Sequence, residues 1–251
     1  MSWKEDLEQA KHIFKTGTPK EKAEYIWDYY KIPILVILIL IYLIGSIVHS
    51  RLTAKEYVLQ GLFLNTLTEA EAVQELEDGF LESYPIDSDK EDVFLDTSIY
   101  YLPDSDQASL DTSYQAIQVL SVRVAAGEID FMATETPVLT DFAYDGYFSD
   151  LSEVLSDEQY KKYEPYFLYY DKAVMEELSN VDYTLEEAEA VLLPDPAKPE
   201  LMKEPVPVMI DITGSKKLSF LYPNTAKNYS FALIVNGSHT EKALELLEYL
   251  F

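Results

Sequence analysis

The steepest feature of the hydrophobic pattern is residues 32–48, IPILVILILIYLIGSIV, an apolar run that no charge interrupts. Trp27, Tyr29 and Tyr30 flank its start, and His49 and Arg51 flank its end. An apolar helix of this length with an aromatic belt roughly matches the hydrocarbon thickness of a bilayer, whereas a globular core helix keeps a polar face. The pattern therefore predicts one transmembrane helix. The leader is long and no small-x-small site follows the run, so it reads as an uncleaved signal anchor. Lys15, Lys20, Lys22 and Lys31 precede the span, against Arg51 and Lys55 after it. That bias places residues 1–31 in the cytoplasm as a juxtamembrane helical segment, and residues 54–251 outside the cell. Thr18-Pro19-Lys20-Glu21 is a helix start: Thr caps, Pro takes the first helical position and Glu returns to the cap. The helix it opens either lies in the inner headgroup layer or runs on into the span with a kink at Pro33.

Beyond the span the apolar spacing switches between strand and helix periods. Residues 57–65 are a short apolar run suited to a strand buried on both faces. Thr68-Glu69-Ala70-Glu71 is a second capping box, opening a helix with Val73, Leu76 and Phe80 on one face and Pro85 as its stop. Residues 93–101 alternate as a strand. A helix from Pro103 to Ala126 then sets Leu110, Tyr114, Ile117, Leu120 and Val124 on one stripe, with Gly127 ending it. Ile129 to Ala133 is the next strand, with short helical pieces through residue 163. Residues 178–205 are acidic and carry Pro194, Pro196, Pro199 and Pro205, which predicts an irregular connection. Val206–Ile212, Leu218–Tyr222 and Phe231–Val235 alternate as strands. Ser238-His239-Thr240-Glu241, a third capping box, starts a last helix with Leu244, Leu247 and Phe251 on one side. Strand–helix alternation at these lengths predicts an α/β fold: three layers around a mostly parallel sheet, preceded by the single transmembrane helix.

Charge changes the picture of possible partners. The formal net charge is −26, and its distribution is uneven. Residues 1–50 hold six Lys and six Asp/Glu; residues 51–251 hold 13 Lys+Arg against 39 Asp+Glu. Such a domain repels phosphate backbones and anionic lipid surfaces, which excludes nucleic acid as a partner. Cysteine is absent, removing disulfides, Cys-ligated zinc, iron–sulfur clusters and thiol nucleophiles, and only three histidines are available. No cofactor and no metal site is implied. Asp87-Ser88-Asp89-Lys90-Glu91-Asp92 and Asp104-Ser105-Asp106 have calcium-like spacing, but they lack the glycine and distal Glu of an EF-hand loop and read as solvated turns. Gly-x-Ser-x-Gly, Walker and His-Glu-x-x-His motifs are missing, so no residue is assigned a catalytic role.

Ala125-Ala126-Gly127-Glu128-Ile129-Asp130, followed by Phe142-Ala143-Tyr144-Asp145-Gly146-Tyr147-Phe148-Ser149-Asp150-Leu151, resembles the extracellular solute-binding proteins of bacterial ABC importers. Val206-Pro207-Val208-Met209-Ile210-Asp211-Ile212 and Ser230-Phe231-Ala232-Leu233 resemble later parts of that family. Tyr25-Ile26-Trp27-Asp28-Tyr29-Tyr30-Lys31 before the span is similar to single-span proteins of Gram-positive bacteria. The resemblance covers residues 54–251 and implies a periplasmic-binding-protein-like fold of one lobe, since about 200 residues are too few for two.

In an open sheet with parallel strands, ligands sit beyond the C-terminal strand ends. That rule selects Thr134, Glu135 and Thr136 after one strand and Asp211 and Thr213 around another as candidate ligand contacts. The tyrosines Tyr160, Tyr163, Tyr166, Tyr169 and Tyr170 could stack on a sugar or peptide, but they read first as packing. Two functions follow. One is a membrane-anchored, non-enzymatic domain that captures a small solute or peptide. The other is a degenerate lobe that docks another membrane protein, as an interaction or regulatory module.

Overall fold

The computed structural model describes residues 3–66, 70–102, 107–180, 191–219, 221–222 and 227–251. The chain divides into two compact units, Met1–Lys55 and Glu56–Phe251. The first unit is two helices, α1 (Trp3–Thr16) and α2 (Pro19–Thr53). Thr18 caps α2 as the sequence predicts: its backbone N–H donates to Glu21 Oε2 at 2.7 Å, and Glu21 N–H donates to Thr18 Oγ1 at 3.4 Å. Phe14 of α1 meets Tyr25 of α2 edge-on at 6.2 Å. Helix α2 passes through Pro33 unbroken, so the capped segment runs on into the apolar run. Its Tyr30–Thr53 stretch is long and apolar enough to cross a membrane, and none of its most apolar window is buried.

In the second unit the chain runs β1 (Glu56–Phe63), α3 (Ala70–Ser83), β2 (Glu91–Asp96), α4 (Gln107–Ala125), β3 (Phe131–Glu135) and α5 (Thr136–Tyr144). It continues through α6 (Leu151–Val154), α7 (Asp157–Tyr163), β4 (Phe167–Asp171), α8 (Lys172–Asn180), β5 (Pro205–Asp211), β6 (Tyr229–Leu233) and α9 (Thr240–Leu250). The strands make one open sheet of order β2-β1-β3-β6-β5-β4. The expected parallel pairing holds for β1 with β2 and with β3. Across β3–β6, β6–β5 and β5–β4 the pairing is antiparallel, so the sheet as a whole is mixed. The reason lies in the connections. Helices α3 and α4 carry β1 to β2 and β2 to β3 as crossovers, whereas β5 returns beside itself as β6 through a 3₁₀ turn at Lys216–Leu218.

The strand alternation sorts the core into two clusters. Leu59, Phe63, Val93, Leu95, Phe131 and Phe231 pack with Val73, Leu76 and Phe80 of α3 and with Leu244 and Leu247 of α9. Leu62, Leu64, Met132 and Ala232 pack with Leu120 and Val124 of α4 and with Leu139 and Phe142 of α5. Two glycines are demanded by geometry. Gly127 sits at φ 68°, ending the stretch after α4, and Gly61 lies against Phe131 so closely that a Cβ would enter its ring.

Several expected elements come out differently. The strand expected over 93–101 stops at Asp96, where Ser98 N–H and hydroxyl turn back onto Asp96 Oδ1 at 2.9 and 2.7 Å. On α4, Tyr114 is 64% exposed; Ser113 and Ala116 take the inward positions beside Leu120 and Val124. Among the described residues of the strand expected over 218–222, none is in a strand: Leu218 closes the 3₁₀ turn and Tyr222 anchors by its hydroxyl, while Phe220 lies outside the described residues. The third capping box does not form. His239 is the N-cap of α9 with no side-chain cap, because Ser238 Oγ donates instead to Gly127 O at 3.2 Å and His239 N–H donates to the buried Asp130 Oδ1 at 2.8 Å. Phe251 is exposed. Helix α8 reaches into the stretch expected to be irregular from residue 178. Residues 181–190, Thr68 and Glu69 of the second capping box, and Pro103 to Asp106 lie outside the described residues.

Candidate functional site

The strand order reverses at β1, which sends β2 to one side and β3 to the other. Strands β1, β3 and β5 run one way and β6 runs against them, so the ends of β3 and β5 and the start of β6 share one sheet edge. Register aligns them: Glu135 faces Tyr229, Thr134 faces Ser230, and Asp211 faces Ser230 from the other side.

The sequence-predicted contacts fall into different environments along this edge. Thr134 is wholly buried, and its hydroxyl donates to Leu64 O at 3.1 Å. Thr136 is buried too; its hydroxyl meets Ser230 Oγ at 2.6 Å and its N–H donates to Asn228 O at 2.9 Å. Glu135 holds Lys227 in an ion pair of 2.5 Å. As N-cap of α5 it makes no side-chain cap bond, so its carboxylate is turned to the lysine. Asp211 Oδ1 accepts the Thr213 N–H at 2.8 Å, an Asx-type turn, while Thr213 Oγ1 accepts the Tyr229 N–H at 2.9 Å.

Glu135 and Thr136 line a cavity of about 660 Å³ together with Pro137, Thr140, Asp141, Leu193, Pro194, Asp195, Pro196, Lys227 and Asn228. Asp211 instead borders a cavity of about 240 Å³ with Tyr166, Gly214 and Phe251, and Thr213 one of about 70 Å³ with Tyr222 and Lys227. The structure thus joins Glu135 and Thr136 in one site and leaves Asp211 and Thr213 to small neighbouring clefts. The cavity of about 660 Å³ has the volume of an ordinary small-molecule site. Its far wall, Leu193–Pro196, is fastened to the sheet where Tyr169 N–H of β4 donates to Pro196 O at 2.9 Å. Below the edge, the buried Tyr222 hydroxyl donates to Ala133 O at 2.7 Å, with Leu64 O at 3.0 Å, and burial pushes this phenol well above its ordinary range.

Lys227, Asn228 and the proline wall escaped the sequence reading. Lys227 stands two residues before β6 begins at Tyr229, and nothing in its spacing marks it. Pro194 and Pro196 signalled a loop but not its place beside β4. The tyrosines act as packing: Tyr160 on Phe167 at 4.9 Å, Tyr163 and Tyr166 on Phe251 at 5.2 and 5.0 Å, and Tyr170 on Tyr144 at 5.7 Å. The Asp87 turn is closed by Lys90, whose Nζ lies 2.8 Å from Asp87 Oδ2; Asp104 and Asp106 lie outside the described residues. Among the described residues no group of three or more His, Asp and Glu is placed to hold a metal ion. Comparison with protein-family models, with curated proteins and with solved structures gave no match.

Proposed function

We propose that this chain is a membrane-anchored binding domain: α2 spans the cell membrane once with the N-terminus in the cytoplasm, and the α/β unit captures a small solute outside, without catalysis. The observation that carries the reading is the cavity beyond the C-terminal end of β3, walled by the start of α5, residues 193–196 and the chain entering β6. The division of the core into one cluster with α3 and α9 and another with α4 and α5 supports a three-layer lobe of the solute-binding type. Residues Phe167–Asp171 supply an edge strand to the same sheet, in keeping with a single lobe.

Two measurements test this. Full-length protein in nanodiscs, screened by thermal shift against a metabolite panel, should give a saturable stabilisation that Pro194→Trp, which fills the cavity, removes. The chain has no cysteine, so single replacements report sidedness cleanly. On intact wall-stripped cells Ser152→Cys should react with an impermeant maleimide and Thr16→Cys should react only after lysis; the reverse pattern rejects the orientation.

A second reading has its own observation. The outer face of α4 exposes Tyr114, Val119 and Val122. Apolar groups gathered on one helix face suit docking of another membrane protein. Binding of such a partner would be lost in Val119→Asp/Val122→Asp, which the solute reading leaves untouched.

A further inference from the structure

Resting on the membrane-anchor reading above, we propose that α2 is also a pairing helix: a polar stripe on its C-terminal half meets the same stripe of a second copy of this chain inside the bilayer. From Leu40 to Val48 every residue is Ile, Leu or Val except Tyr42, Gly45 and Ser46. At 3.6 residues per turn these three and His49 fall on one face, within an arc of about 100°. Tyr42 stands two residues from the middle of the 32–48 run, about 3 Å along the axis, and Ser46 stands about 9 Å from it. Both lie inside a hydrocarbon half-thickness of about 15 Å. Trp27 and Tyr30 have the interfacial place that suits an aromatic ring with a polar tip; Tyr42 does not. Helical Cα–Cβ bonds tilt toward the N-terminus, so its ring is carried back toward the midplane rather than out to the headgroups. Tyr42 is 74% exposed and Ser46 is exposed, and among the described residues neither hydroxyl has a hydrogen-bond partner in its own chain. Water would satisfy these groups and lipid tails do not, so the two hydroxyls call for a protein partner at this depth. Gly45 lets that partner come close, because nothing lies within 4 Å of where its Cβ would stand.

The chemistry of the stripe selects the partner. Each hydroxyl both donates and accepts, and no charge interrupts the run. A parallel copy related by a two-fold axis sets each residue opposite itself at equal depth, so like groups satisfy one another. Residues 1–50, with six Lys and six Asp/Glu, carry no net charge to oppose such a pair. Residues 51–251 carry the whole −26 and repel their counterparts, which puts the self-contact in the membrane and not in the soluble unit.

The test uses the full-length chain in phosphatidylcholine vesicles. Donor-labelled and acceptor-labelled pools of Ser152→Cys are mixed, and energy transfer is followed as lipid dilutes the protein. The expected result is transfer that saturates with the protein-to-lipid ratio. The dissociation constant should rise about fivefold in Tyr42→Phe, the worth of one interhelical hydrogen bond, rise more than tenfold in Gly45→Leu, and stay unchanged in Ile44→Phe on the opposite face. In separate single replacements, mild oxidation should join Ser46→Cys chains as a disulfide and leave Ile44→Cys chains single. Protein that floats with the vesicles yet stays monomeric at every ratio overturns the pairing and leaves the anchor standing. Transfer that survives both Tyr42→Phe and Gly45→Leu, transfer that disappears instead in Val119→Asp/Val122→Asp, or a disulfide at Ile44→Cys in place of Ser46→Cys also overturns it. Protein that does not float with the vesicles removes the anchor reading and the pairing together.

Discussion

Asp171 ends β4 in a position where its carboxylate replaces a missing stretch of sheet. It is 2% exposed and accepts three backbone N–H groups: Lys203 at 2.8 Å, Glu204 at 3.0 Å and Ala173 at 3.1 Å. It thereby caps α8 and ties the chain before β5 to the sheet edge, the same edge that carries the Pro196 wall of the cavity. Asp171→Ala leaves three donors without a partner. An orphaned buried donor costs about 1–3 kcal/mol, but Lys203 and Glu204 are exposed and water reaches them, so the expected loss is about 3 kcal/mol. Asp171→Asn keeps one acceptor oxygen and should lose roughly half as much. The pH dependence adds an independent signature. Burial alone would raise the carboxyl, but the N–H groups of Lys203, Glu204 and Ala173 outweigh it and hold it below the usual carboxylate range. A depressed folded value stabilises the fold above the unfolded value of about 3.9 and is lost as pH falls through the folded one. The gap between wild type and Asp171→Asn should therefore be full at pH 7 and narrow steadily below about pH 4. Urea unfolding followed by near-ultraviolet circular dichroism of the tyrosines measures it. Fluorescence would not serve, because both tryptophans, Trp3 and Trp27, lie in the first unit. A loss under about 0.5 kcal/mol for Asp171→Ala, or a gap independent of pH, would refute the assignment of this carboxylate as the strap of the edge strand.

Four further outcomes follow from other parts of the molecule. Gly61→Ala drives a methyl into the Phe131 ring and should destabilise by about 1–3 kcal/mol in the same urea assay. Arg123→Met strands Asp96, whose Oδ2 lies 2.6 Å from Arg123 Nη1 with both side chains largely buried; about 3–5 kcal/mol is expected, with partial recovery when Asp96→Leu is added. Tyr222→Phe removes the hydroxyl shared by Ala133 O and Leu64 O, each of which keeps another donor, so the loss should stay near 1 kcal/mol. Leu40→Arg in the middle of α2 adds about 2.5–3.5 kcal/mol to membrane insertion and should move the protein from the carbonate-resistant to the carbonate-extractable fraction.

The elements legible in the sequence are those whose signal is local. The Thr18 box, the apolar run, and the α3 face of Val73, Leu76 and Phe80 each depend on residues within a turn or two of one another, and each stands where the spacing puts it. What the pattern misread depends on distant partners. The stretch from Leu218 to Tyr222 reads as a strand by alternation, yet Leu218, Leu221 and Tyr222 are the buried positions, and Tyr222 reaches the carbonyls of Leu64, just past β1, and of Ala133 in β3, more than 80 residues away. Ser238 has the spacing of a cap and is drawn off by Gly127, while Asp130 takes over the N-terminus of α9 from across the sheet. The antiparallel half of the sheet was hidden for a related reason. Alternation reports which residues are buried, not the direction in which the next strand returns.

The candidate site shows the same division between local rule and distant partner. Topology named Thr134, Glu135 and Thr136 together because they follow one strand, but burial separates them. Two of the three hydroxyl and carboxylate groups are consumed by the fold: Thr134 pins β3 to Leu64, and Thr136 pins the start of α5 to Ser230. Only Glu135, the residue between them, is left with its charge at the cavity, and it is held there by Lys227, two residues before the start of β6. A ligand arriving at this edge therefore meets an ion pair rather than a row of hydroxyls. On the proposed binding reading, a small molecule beside α5 either leaves that pair intact or breaks it, and the hydroxyls of Thr134 and Thr136 add little because both are spent on the fold.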